Sequence, residues 1–82
     1  MLFLIEYDRS RGTVVNMTTF PDHDRRVAAD TRLDLEIALN RQGVQREVVL
    51  LEAANEDALR RTHRRYFANL PDLVENPGDR PT

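Results

Sequence analysis

Arg60, Arg61, Arg64 and Arg65 stand together in the run Ala58-Leu59-Arg60-Arg61-Thr62-His63-Arg64-Arg65-Tyr66-Phe67. At about 100° per helical residue the four guanidinium groups fall on one outer stripe. A stripe of this kind grips phosphates or a partner's carboxylates, and Tyr66 and Phe67 beside it offer rings that stack on bases. A solvated helix face explains the same pattern. Cations near a helix C-terminus favour its dipole, and Glu56 and Asp57 answer them about one turn earlier. The overall balance, 12 positive against 14 negative side chains and a net charge of -2, favours the solvated face over a nucleic-acid interface.

Asp22-His23-Asp24 is the one compact cluster with metal-ligand or acid/base residue types. Consecutive residues in a first helical turn fan about 100° apart, so they rarely aim at one ion, and an aspartate N-cap accounts for the cluster. His63 has the chemistry of a general base, but on an otherwise apolar helix face it reads as a packed imidazole. Glu6 and Asp8 on one strand, paired with Glu47 or Glu52 on another, would make the two-carboxylate metal site of a hydrolase or nuclease. Exposed ends of short strands carry such residues routinely. Ser10 belongs to a turn and has no nucleophile-elbow context. All 12 cations are arginine, so lysine Schiff-base and P-loop chemistry are excluded, and with no cysteine so are thiolate zinc sites, disulfides and a cysteine nucleophile. The residues call for no cofactor and no metal, and catalysis is the less favoured reading.

These side chains need elements to position them, and 82 residues make one small domain. Met1 to Asp8 reads as a strand, because Phe3, Ile5 and Tyr7 alternate with Leu2, Leu4 and Glu6. Thr13 to Phe20 reads likewise. The loop between them carries Gly12, late and left-handed, and a three-residue turn would pair Tyr7 with Val15 and Ile5 with Met17. Pro21 ends the second strand. Asp22 or Asp24 then caps a helix to about Gln42, with Gly43 as its stop. Val27, Ala28, Thr31, Leu35, Ala38 and Leu39 form its inward stripe, while Leu33 and Ile37 lie almost opposite. Val44 to Ala53 is a third strand, apolar on both faces at Val48 to Leu51, as in a central strand or one covered on two sides. Asn55 caps a second helix to about Leu70, with Leu59, Thr62, His63, Tyr66 and Leu70 facing inward. Residues 71–82, rich in proline and charge, read as a flexible tail behind a domain of residues 1–70.

The order β-β-α-β-α predicts an α+β fold, a three-stranded, mainly antiparallel sheet with two helices and the first strand in the middle. Fragments of several unrelated folds share this order, part of the ribonuclease H-like core among them, and the likeness is one of topology alone. One sheet face collects Phe3, Ile5, Tyr7, Val15, Met17, Val49 and Leu51; the other collects Leu2, Leu4, Phe20, Val48 and Leu50. Leu33 and Ile37, together with Leu2, Leu4, Val48 and Leu50, exceed what one helix layer covers and so form a candidate homodimer interface. The apolar run Met1 to Ile5 is too short for a signal peptide or a membrane span, which places the chain in the cytoplasm with no membrane partner. The sequence therefore favours a non-catalytic protein-interaction module that self-associates. A nucleic-acid-binding module using the arginine face is the alternative, and a metal-dependent hydrolase or nuclease the third reading.

Overall fold

Alternating apolar side chains at the start of the chain need cover on two sides, and the fold supplies it. In the computed structural model, which describes residues 1–67, the elements are β1 (Leu2–Asp8), β2 (Thr13–Phe20), α1 (Arg25–Gln42), β3 (Glu47–Glu52) and α2 (Glu56–Thr62). Short 3-10 turns sit at Asp22–Asp24 and Arg64–Tyr66. The sheet order is β2-β1-β3 with both pairings antiparallel, so β1 is central and the α+β architecture is the expected one. The expected ends of the domain and its tail, Leu70 and residues 71–82, lie outside the described residues.

The two helices divide the two sheet faces. Phe3 and Ile5 point to the side where Leu59, Tyr66 and Phe67 lie, and these five buried residues form the core cluster. Leu2, Leu4 and Val48 point to the other side, where α1 lies across β1 and β3 and buries Ala28. β3 is therefore an edge strand, and its apolar character on both faces comes from helix cover rather than from a central place.

β1 and β2 meet with Ile5 opposite Met17, as the sequence predicts, but Tyr7 faces Val14. An irregularity between Glu6 and Tyr7 in the pairing leaves Val15 without a partner on β1 and 47% exposed. Val14 instead packs against the core cluster. An extra residue on one strand shifts every side chain before it to the opposite face. The turn spans Arg9 to Gly12 rather than three residues, with Asp8 paired to Thr13. Asp8 Oδ1 organises it by accepting hydrogen bonds from the Ser10 amide (3.0 Å), the Ser10 hydroxyl (2.7 Å) and the Arg11 amide (3.2 Å). Gly12 closes the turn at φ 68° and donates its N–H to the Asp8 carbonyl at 2.7 Å.

Helix α1 begins without a side-chain cap. Asp24 holds the N-cap position but makes no cap hydrogen bond, and the Asp22 carboxylate lies 2.8 Å from the Met1 ammonium instead. The helix ends as expected, with Gly43 at φ 69° donating to the carbonyls of Leu39 and Asn40. Its inward stripe is narrower than predicted. Ala28, Thr31, Leu35 and Leu39 are at least half-buried, whereas Val27 and Ala38 face solvent. Helix α2 starts where Asn55 accepts a hydrogen bond from the Ala58 amide at 2.8 Å, and it stops at Thr62 rather than Leu70. His63 leaves helical geometry at φ -124°, ψ 54°, and the following 3-10 turn brings both Tyr66 and Phe67 into the core. Thr62 is exposed and His63 half-buried, and neither is among the residues of the core cluster or packed against it.

Candidate functional site

Ending α2 at Thr62 breaks the arginine stripe. Arg60 remains on the helix and folds back on Glu56, its Nη2 donating at 2.7 Å and its Nε at 3.1 Å to Glu56 Oε2. Its guanidinium lies 4.8 Å from the centre of the Phe67 ring. Arg65 sits beyond the helix, where its Nη2 donates to Glu47 Oε1 at 2.8 Å and its guanidinium covers the Tyr66 ring at 4.6 Å. Arg61 and Arg64 are exposed, and among the described residues neither has an ion-pair partner. The rings proposed for base stacking are thus in the core, Tyr66 at 6% and Phe67 at 3% exposure, with arginines over them.

Replacing Arg60, Arg61, Arg64 and Arg65 with glutamine together checks this reading. Exposed ion pairs contribute about 0–1 kcal/mol each. The fold should survive with a modest loss of melting temperature, and retention of nucleic acid in a gel shift at low salt should not change. A wild-type protein that shifts DNA or RNA, with the glutamine variant folded but unable to, would establish the arginine interface instead.

The four carboxylates considered for a metal site are dispersed. Antiparallel register sets Tyr7 opposite Glu47, Glu6 opposite Val48 and Leu2 opposite Glu52, so Glu47 projects to the opposite sheet face from Glu6 and Asp8, and Glu52 lies at the other strand end. Each carboxylate also meets an arginine. Arg46 Nε lies 3.2 Å from Glu6 Oε2 and its Nη1 lies 4.0 Å from Asp8 Oδ2. Arg25 Nη2 donates to Glu52 Oε1 at 3.0 Å, and Glu47 takes Arg65 and the Tyr66 hydroxyl. Among the described residues no three His, Asp or Glu side chains are grouped to hold a metal ion. His23 is exposed beside Asp24, 3.7 Å away, and His63 Nδ1 lies 2.9 Å from the Thr62 hydroxyl. These two imidazoles are far apart in the chain and neither meets a serine.

A cleft of about 580 Å³ opens between the β1–β2 turn, the C-terminal half of α1 and the segment leading into β3. Asp8, Ser10, Glu36, Asn40 and Arg46 line it. Its chemistry is already committed. The Ser10 hydroxyl donates to Asp8, and that hydrogen bond, with the Ser10 and Arg11 amides and the charge of Arg46, holds the Asp8 carboxyl below its ordinary pKa against the effect of burial. A carboxylate held ionised is a weak proton acceptor, which suits Asp8 poorly to general-base work. Arg46 Nε is buried and makes no hydrogen bond among the described residues.

Comparison of the chain with family models, with characterised proteins and with solved structures returned no match. Among the described residues, the outer side of α1 is where two exposed large hydrophobics lie one turn apart on the same helix face. Leu33 is 55% and Ile37 43% exposed, one turn apart, with Ala29 exposed a turn before them. Of the residues expected to share an interface with them, Leu2, Leu4 and Val48 are instead buried under α1 of the same chain, and Leu50 is half-buried. α1 itself supplies the cover that sequence patterning left open to a second subunit. No helix among the described residues is long and apolar enough to cross a membrane.

Proposed function

We propose that this chain is a non-catalytic protein-interaction module that works as a homodimer, joined through the outer face of α1. The observation that carries the reading is the pair Leu33 and Ile37, large apolar side chains aligned on the solvent side of a helix whose opposite side already packs on the sheet. Singly exposed apolar residues are ordinary, but aligned neighbours on one helix face mark a contact surface. Closed two-fold pairing is the commonest way such a patch is covered. A cytoplasmic place of action belongs to the same proposal, and a chain with no cysteine is compatible with it.

Magnitudes set the expected strength. Removing the exposed remainder of Leu33 and Ile37 from water gives roughly 1 kcal/mol per side chain, or about 4 kcal/mol for the two copies. Association costs about 4–15 kcal/mol in lost freedom. The apolar pair alone does not suffice, so polar contacts around it must add to the interface, and the dissociation constant should be micromolar or weaker. Light scattering across about 1 µM to 1 mM should show the mass climbing from 9.5 kDa towards twice that value. Leu33→Asp with Ile37→Asp should hold it at the monomer mass with the same circular dichroism. A wild-type protein that stays at 9.5 kDa over the whole range would remove the proposal.

A further inference from the structure

The charges flanking Leu33 and Ile37 carry the dimer reading one step further, to the identity and orientation of what covers the patch. At about 100° per residue, Ile37, Asp30 and Arg41 lie roughly 40°, 60° and 80° round α1 from Leu33, all on the same side. Asp30 and Arg41 are exposed, and neither has an ion-pair partner among the described residues. Along the axis they sit on either side of the midpoint between Leu33 and Ile37, five residues before it and six after, a mismatch of about 1.5 Å.

This placement is self-complementary under one symmetry operation. A two-fold axis perpendicular to α1, passing near the Leu33–Ile37 midpoint, runs the partner helix antiparallel and keeps each flank on its own side. Leu33 then meets Ile37 of the second copy, and Asp30 meets Arg41 of the second copy, twice. Parallel pairing, about a two-fold along the helix axes, would instead lay the flank of Asp30 and Arg41 against the opposite flank of the second copy, the one that carries Glu36, and keep the two charges apart. On the other flank the two copies of Glu36 approach one another, but each is neutralised by its own Arg32, with Nε 3.7 Å from Glu36 Oε2. We infer that the occupant of the α1 face is a second copy of this chain, held as an antiparallel α1–α1 pair with Leu33 on Ile37 and reciprocal Asp30–Arg41 ion pairs. The inference rests on the homodimer reading and adds its register.

Charge reversal and disulfide trapping test it. Asp30→Arg and Arg41→Asp each turn both reciprocal pairs into like-charge contacts, and each should weaken dimerisation by at least about tenfold in sedimentation equilibrium. The double variant Asp30→Arg/Arg41→Asp restores opposite charges and should return to the wild-type constant. The four positions are exposed on the helix, so circular dichroism should be the same for all variants. The natural chain has no cysteine, which leaves a clean background for trapping. Mixed and mildly oxidised, Leu33→Cys and Ile37→Cys should give mainly the mixed 33–37 disulfide. Dimers that ignore the charge variants, or that trap as 33–33 and 37–37 disulfides, overturn the antiparallel register and leave self-association standing. Monomers at every concentration in the wild type overturn both.

Discussion

Phe3→Ala is expected to leave the chain unfolded, or nearly so, at physiological temperature. Phe3 is 1% exposed near the start of the central strand and belongs with Ile5, Leu59, Tyr66 and Phe67 to the cluster that joins the sheet to the second helix. Truncating a buried phenylalanine costs about 3–5 kcal/mol, part lost transfer free energy and part the cavity left behind. A domain of this size seldom holds more than about 3–5 kcal/mol in total, and with no cysteine it has no disulfide to supplement packing. The loss therefore matches the whole stability. Val15→Ala is the internal comparison: Val15 sits at the strand irregularity, 47% exposed, and its truncation should change stability by no more than about 0.5 kcal/mol. Thermal melts followed by circular dichroism decide the matter. Equal shifts for the two variants would mean that the Phe3 cluster is not what holds the sheet to α2.

Tyr66→Phe should lower stability by about 1–2 kcal/mol while leaving the core packed. Its ring meets Tyr7 edge-on, with centroids 5.1 Å apart at 85°, and phenylalanine preserves that contact. What goes is the hydroxyl, which donates to Glu47 Oε2 at 2.7 Å. Hydrogen bonds to ionised partners are worth about 1.5–3 kcal/mol, and solvent access at Glu47, together with its second partner Arg65, brings the expectation to the lower part of that range. Burial first, and then the hydrogen bond to Glu47 and its negative charge, push the Tyr66 pKa above its ordinary value. A folded-state pKa raised above the unfolded one stabilises fully below about pH 10 and ceases to do so as pH rises through the folded value. The wild type should thus lose stability in strong alkali more steeply than Tyr66→Phe, measured by urea melts from neutral to alkaline pH. Parallel curves for the two proteins would show that Tyr66 and Glu47 are not coupled in the native state.

Local chemistry alone determined the parts of this protein that depend on residues close in sequence. The alternation from Leu2 to Tyr7, the left-handed glycines at 12 and 43, the Asn55 cap and the β-β-α-β-α order follow from backbone preferences that neighbouring side chains set. The outward aim of Leu33 and Ile37 was legible for the same reason, since a helix fixes which side chains share a face. The bulge was not. A period of two says nothing of an inserted residue, and Val14 displaced Val15 from the core because that fits the pairing of Tyr7. Nor does anything between Glu56 and Phe67 announce a break, for the stretch has neither glycine nor proline. α2 stops because burying both Tyr66 and Phe67, and giving the Tyr66 hydroxyl to Glu47, outweighs the helical hydrogen bonds lost beyond Thr62. That single tertiary choice dissolved the arginine stripe. In the same way, strand register sent Glu47 to one face and set Arg46 against Glu6 and Asp8 on the other, so carboxylates that sequence could group as a metal site became ion-pair partners. Which helix covers which face was likewise decided only by packing, because both faces of β1 are apolar and either helix carries an apolar side to offer.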